Sequence, residues 1–387
     1  MGVDATHGQM NLPAVTGAWR PGMAPALRSF ATLGHPFVTE GGDVIGTQAS
    51  PVTVAYETYG SLNEDHSNAI LLLHALTGDA HAAGPAGPGQ PTEGWWDAFI
   101  GPGRVLDTER FFIVSPNVLG GCQGTTGPSS LDDSGRAWGS RFPRITIRDQ
   151  VRVEMELADL LAIDAFHAVI GGSMGGMRAL EWSLLAPERV ERLILLATGA
   201  AATAEQIALC HVQIEAIRRD PKFRNGDYYE AEPGDGPWQG LGIARSMGQI
   251  TYRARAELIE RFGRSPQEGE DPLAGGRFSV EGYLDYQASK LNERFDANSY
   301  ALLSQAMNLH DVGRGRGGVV NALRQISAET TVIGFDSDRL YVPDEQQLIA
   351  QEVPGCERLI LLSSHFGHDA FLLEFSLMAP HLIRALA

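Results

Sequence analysis

Gly171-Gly172-Ser173-Met174-Gly175-Gly176 follows the apolar run Ala165-Phe166-His167-Ala168-Val169-Ile170 and precedes a helical pattern. The reading is a strand, a tight turn and a helix, with a serine at the apex. Gly171 and Gly175 complete G-x-S-x-G around Ser173, a turn that lifts a hydroxyl clear of a sheet while residues without side chains let strand and helix pack closely. In a chain with 45 glycines the pentapeptide alone says little. The segments on either side of it decide the fold.

Upstream, Thr146-Ile147-Arg148-Asp149 opens a run with apolar residues at Ile147, Val151, Met155, Ala158 and Ala162, a helical spacing with threonine and aspartate available as caps. Earlier still, Ala69-Ile70-Leu71-Leu72-Leu73 is continuously apolar and reads as a buried strand ending at His74, and the alternating Thr53 to Tyr59 reads as a half-exposed one. Between Thr77 and Gly127 lies a long region rich in glycine and proline, interrupted by the strand-like Arg110 to Ser115. A loop system of that length in a compact domain is usually functional. Downstream, Met174 to Ala186 reads as a helix stopped by Pro187, and Val190 to Leu196 as the next parallel strand. Strand and helix patterns alternate from His74 to Ala197, the signature of a right-handed βαβ sheet.

The alternation breaks at about Ala201. From there to Leu323 the pattern is helical and polar, with segments at Ala204 to Arg219, Gly240 to Phe262 and Val280 to Asn292. Strand and helix then resume: Thr330 to Phe335, a helix from about Pro343, Arg358 to Leu362, and a closing helix from about Asp369. The expected organisation is a flexible lead-in over 1–30, an α/β core over 31–200, a helical lid inserted over 201–323, and the rest of the core over 324–387.

Composition excludes several classes of function. With 43% hydrophobic and 20% charged residues in 387, the chain is globular over most of its length. A net charge of −17 gives no basic stripe for nucleic acid, so an anionic substrate needs local arginines. Three scattered cysteines, Cys122, Cys210 and Cys356, offer neither a disulfide framework nor the spacing of a metal site. No basic start followed by an apolar run marks a signal peptide, and no stretch approaches the length needed to span a bilayer. The expectation is a soluble cytoplasmic protein.

A serine nucleophile needs a base to take its proton and an acid to orient that base, in the chain order serine, acid, histidine for this strand arrangement. Gly334-Phe335-Asp336-Ser337-Asp338-Arg339 follows one late strand, and Ser363-Ser364-His365-Phe366-Gly367-His368-Asp369 follows the next. Carboxyl ends of parallel strands share one edge of the sheet, so these segments meet above Ser173. Spacing leaves Asp336 and Asp338 as rival acids, and His365 and His368 as rival bases. Asp338 and His368 are preferred, because His368 lies between Gly367 and the start of the last helix, an apex suited to a shuttling imidazole. The oxyanion of a tetrahedral intermediate needs backbone N–H donors, and Met174 with Leu76 of His74-Ala75-Leu76-Thr77-Gly78-Asp79 are placed to give them.

These segments, with Asn117 to Pro128, Ala244-Arg245-Ser246-Met247-Gly248-Gln249-Ile250-Thr251-Tyr252-Arg253, Asp311 to Gly318 and Gly367-His368-Asp369-Ala370-Phe371-Leu372, resemble the homoserine O-acetyltransferases of methionine biosynthesis from about residue 30 to the end. The resemblance implies an α/β-hydrolase fold whose helical lid commonly also forms a homodimer contact. By position it implies Ser173 as nucleophile, Asp338 as orienting acid and His368 as base, with Arg245 and Asp369 as contacts to the carboxylate and ammonium of homoserine. It further implies acetyl-CoA as co-substrate, with no tightly bound cofactor and no metal. Arg314 and Arg316 are candidates for steering coenzyme A phosphates, while Cys122 and Tyr252 read as packing or pocket-lining residues. Succinyl-CoA as donor, serine as acceptor, and plain ester hydrolysis stay open as rivals.

Overall fold

The computed structural model describes residues 13–387. Eight strands form one sheet: β1 (Ser29–Thr32), β2 (Thr53–Tyr59), β3 (Ala69–Leu73), β4 (Phe112–Pro116), β5 (Phe166–Gly172), β6 (Val190–Leu196), β7 (Glu329–Phe335) and β8 (Cys356–Leu362). Their order across the sheet is β1-β2-β4-β3-β5-β6-β7-β8. Only β2 runs against its neighbours β1 and β4; the pairs from β4 to β8 are parallel. The crossovers α1 (Ile147–Leu160) and α2 (Met174–Leu185) flank β5 in the chain. Between β6 and β7 come α3 (Ala204–Arg218), α4 (Trp238–Tyr252), α5 (Arg255–Phe262), α6 (Ser279–Asn292), α7 (Ala297–Asn308) and the short α8 (Val319–Leu323). Then α9 (Pro343–Glu352) joins β7 to β8, and α10 (Ala370–Leu373) and α11 (Phe375–Ala385) close the chain.

The two-residue period of a strand divides the core into two layers. In β3, Ala69, Leu71 and Leu73 face a cluster with Val151 of α1 and Leu180 of α2. Ile70 and Leu72 face the other layer, with Met378 and Leu382 of α11. All five β3 residues are buried, and each fully buried leucine contributes about 2 kcal/mol. At the start of α1 the side chains of Thr146 and Asp149 form a reciprocal capping box, as their spacing suggests. None of the described helices is long and apolar enough to cross a membrane.

The helical stretch departs from the expectation in two places. The single helix read over 240–262 is two, α4 and α5, parted at Arg253, whose backbone is extended (φ −98°, ψ 139°). The loop after β8 packs into that break: a Cβ on Gly367 would lie 2.6 Å from the Ala254 nitrogen. The helix α7 carries no readable alternation, because ten of its twelve residues are buried, Asn298, Ser299 and Ser304 among them. It is capped instead by Asp296, which accepts from the Ser299 amide at 2.9 Å.

The lead-in expected to be flexible over 1–30 differs too. Residues 1–12 lie outside the described residues, but from Pro13 onward the chain is pinned. Gly17 N–H donates to Phe295 O (3.1 Å), Trp19 N–H to Cys122 O (2.9 Å), and the Thr16 hydroxyl to Asp296 (2.8 Å). Those partners lie in the inserted helices and the glycine-rich loop, which sequence proximity cannot reveal.

Candidate active site

Ser173 sits between the last residue of β5 and the first of α2, with φ 55° and ψ −123°, a left-handed backbone that costs a residue with a Cβ about 1–3 kcal/mol. The surrounding packing holds it there. A Cβ on Gly171 would lie 2.1 Å from Gly175 O, and one on Gly175 would lie 2.0 Å from Leu73 O. Both glycines of the pentapeptide are therefore required by close approach of strand and helix. The Ser173 N–H donates to Leu196 O at 3.0 Å, and its carbonyl accepts from the Thr198 hydroxyl at 2.8 Å.

The ends of β7 and β8 bring the remaining groups to this turn. His368 Nε2 lies 2.9 Å from Ser173 Oγ, and His368 Nδ1 lies 2.9 Å from Asp338 Oδ2. The other Asp338 oxygen accepts from the Leu340 and Tyr341 amides, at 2.9 and 3.0 Å, which aims the carboxylate. With Asp338 accepting at Nδ1, the proton belongs on that nitrogen and Nε2 is left to accept from the serine hydroxyl. Ser337 Oγ accepts from Gly367 N–H at 3.1 Å and ties the two strand-end loops together. Asp336 and His365 stand outside this group: both are exposed, with Asp336 accepting from Ser364 N–H and the His365 ring tilted against that of Phe366.

His368 is packed among the rings of Tyr252, Tyr341 and Phe371. Burial is the largest single influence on its pKa and lowers it. The charge and hydrogen bond of Asp338, with the charge of Asp369 behind them, together outweigh burial and hold the pKa above the ordinary histidine value.

A cavity of about 150 Å³ opens over Ser173 and His368, lined also by Leu76, Thr77, Tyr252, Arg245, Arg294 and Asp369. Leu76 is buried in the loop after β3, and Met174 is the first residue of α2, where amides have no helical acceptor. Arg245 reaches Thr77 Oγ1 at 3.4 Å and lies over the Tyr252 ring. With the Gln249 amide turned so that its nitrogen donates to Tyr283, its oxygen accepts from Arg245 at 2.8 and 3.3 Å. Asp369 lies 3.2 Å from Arg253 Nε. Burial pushes the Asp369 pKa up, against the lowering charges of Arg253, Arg245 and His368. The cavity thus carries positive and negative side chains beside a serine–histidine–aspartate chain, and this combination can bind a zwitterion next to a nucleophile.

Several residues that shape the site have no local sequence signal. Arg294, in the turn between α6 and α7, donates to Thr77 O at 2.6 Å from within the cavity wall. Arg178, buried in α2, donates to Glu154 of α1 and to His74 O, each at 2.6 Å, and so ties the serine-bearing helix to the end of β3. Arg314 and Arg316, read as candidates for phosphate steering, are engaged by carboxylates: Arg314 by both oxygens of Glu40 and Arg316 by both oxygens of Glu181. They fasten the loop before α8 to the core. Cys122 is buried in the core and Tyr252 lines the cavity. Among the described residues no group of three His, Cys, Asp or Glu side chains is placed to hold a metal ion.

Sheet order, helical insertion and serine turn are those of the α/β-hydrolase class, and the family model described as alpha/beta hydrolase fold matches residues 68–375. The chain is 58% identical to homoserine O-acetyltransferase of Thermobifida fusca over 366 residues, covering 94% of this chain and 95% of that one. Among solved structures it is similar to homoserine O-acetyltransferase from Bacillus anthracis (TM-score 0.82, 28% identity, 93% of this chain and 97% of that one). It is equally similar to esterase E22 (TM-score 0.82, 30% identity, 93% of this chain and 99% of that one). The chain belongs to the homoserine O-acetyltransferase family.

Proposed function

We propose that the protein moves an acetyl group from acetyl-CoA to the hydroxyl of L-homoserine through an acetyl-Ser173 intermediate, an early step towards methionine. The observation that carries this reading is the unbroken Ser173–His368–Asp338 chain opening onto a cavity that also presents Arg245 and Asp369. His368 takes the Ser173 proton as Oγ attacks the thioester. The Leu76 and Met174 amides hold the oxyanion, the tetrahedral intermediate expels the thiolate, and His368 returns the proton to it. Arg245 then pairs with the acceptor carboxylate and Asp369 with its ammonium, which sets the γ-hydroxyl against the acyl-serine. His368 deprotonates that hydroxyl, and O-acetylhomoserine leaves as Ser173 regains its proton. Two half-reactions through one covalent intermediate give ping-pong kinetics.

No tightly bound cofactor enters this scheme. Three free cysteines fit a reducing cytoplasm. A homodimer through the inserted helices is supported by Ile243 and Ile250, seven residues apart on α4, and Tyr286 on α6, which are all exposed.

The likeness to esterase E22 favours a second reading, hydrolysis, since such a triad does not itself choose between water and an alcohol. A matrix of acetyl- and succinyl-CoA against homoserine, serine and no acceptor separates the readings. Thiol release that is fastest with acetyl-CoA and homoserine is expected. Equal release with and without acceptor makes the protein a hydrolase.

A further inference from the structure

The loop that presents the Leu76 amide is enclosed in a circuit of buried and partly buried hydrogen bonds drawn from remote parts of the chain. Arg294 Nη1 donates to Thr77 O at 2.6 Å. The Arg294 carbonyl in turn accepts from Gln123 Nε2 at 2.6 Å. Gln123 Oε1 accepts from Arg28 Nη2 at 2.8 Å, and the same nitrogen lies 2.6 Å from Gln90 Oε1. Gln90 Nε2 returns to Asp79 Oδ2 at 3.3 Å, two residues beyond Thr77. The backbone at Arg294 has little room to move, because a Cβ on Gly17 would lie 2.4 Å from its nitrogen. An oxyanion hole works through donors fixed before the charge appears, so a loop held at both Thr77 and Asp79 meets that requirement.

We infer that Arg294 is a positioning residue for acylation: it links the α6–α7 turn of the inserted helices to the loop carrying the Leu76 amide and sets that amide against the tetrahedral oxyanion. The inference rests on the proposed acyl-serine pathway. It separates Arg294 from Arg245, whose proposed role is to pair with the acceptor carboxylate. A guanidinium that held Thr77 O only for stability would leave the rate of acylation in the folded protein unchanged.

The test is the burst of thiol released from acetyl-CoA without homoserine, measured by rapid mixing on wild-type protein, Arg294→Met and Arg294→Lys. Affinity for a small alkylboronic acid is measured alongside, since its tetrahedral adduct on Ser173 uses the same amides. Arg294→Met is expected to slow the burst by about tenfold or more and to weaken the boronic acid by a similar factor. Lysine, which keeps a donor for Thr77 O, is expected to recover most of both losses. A wild-type burst rate and boronic acid affinity in Arg294→Met overturn the inference, and so does a lysine variant as impaired as the methionine one. Should Arg294→Met fail to fold, Arg294→Gln takes its place: a burst and a boronic acid affinity each weakened about tenfold or more support the inference, and wild-type values of both overturn it. Absence of a burst in the wild-type protein would count against the acyl-serine pathway and not against the placement of Arg294.

Discussion

Ser173, His368 and Asp338 couple a strained backbone to a directed proton path. Because the charge and hydrogen bond of Asp338, with the charge of Asp369, outweigh burial and hold the His368 pKa above the ordinary histidine value, the neutral imidazole that the proposed mechanism uses as base is lost already at mildly acidic pH. The acid limb of kcat/KM is therefore expected above about pH 6.5. Asp338→Asn removes the raising charge, so the limb moves to lower pH while kcat falls by about 10⁴-fold, as a pH–rate profile of both proteins would show. An unmoved limb would separate the titration from His368. The stability linkage has the opposite sense. A raised folded-state pKa stabilises the fold below the unfolded histidine value, and that contribution disappears as pH rises through the folded value. Denaturant midpoints of wild-type and Asp338→Asn protein should accordingly differ more below the unfolded histidine pKa than above the folded one.

Among the elements, α2 and β3 do most to fix the site: Arg178 of α2 donates to His74 O at the end of β3 and pairs, buried, with Glu154 of α1. Burial pushes the Glu154 pKa up and that of Arg178 down, and each charge partly restores the other. Trp182 Nε1 also donates to Glu154, at 2.9 Å. Arg178→Met leaves that carboxylate buried without its partner and is expected to cost about 3–5 kcal/mol in urea unfolding. Replacing Glu154 by leucine in the same protein should recover much of the loss. A single variant within about 1 kcal/mol of wild type would show that the pair does not hold the elements together. The break between α4 and α5 belongs to the same scale. It admits Gly367, whose φ of 68° and lack of a side chain let the His368 loop close over Ser173.

Across the whole molecule, the parallel core was legible because strands buried on both faces read as continuous apolar runs, as in Ala69 to Leu73. The meeting of Ser173, Asp338 and His368 was legible because parallel strands present their carboxyl ends together. Spacing alone did not separate Asp338, the preferred acid, from Asp336, since the pointing of that carboxylate is set by the Leu340 and Tyr341 amides. Helix α7 escaped because it is buried all round, and Arg294 because its partner, Thr77, is more than two hundred residues away in the chain. The inserted helices also carry the apolar surface read as a dimer contact. Ile243→Asp is expected to yield a monomer by sedimentation, and an unchanged assembly would move the contact elsewhere. The account as a whole turns on an acetyl group held by Ser173 until homoserine takes it. Mass analysis of protein mixed with acetyl-CoA, before and after a homoserine chase, measures this directly. One acetyl group should be found on Ser173, be transferred to homoserine by the chase, and be absent in Ser173→Ala. Equally fast loss of that group to water, or acetyl transfer at the wild-type rate in Ser173→Ala, would contradict it.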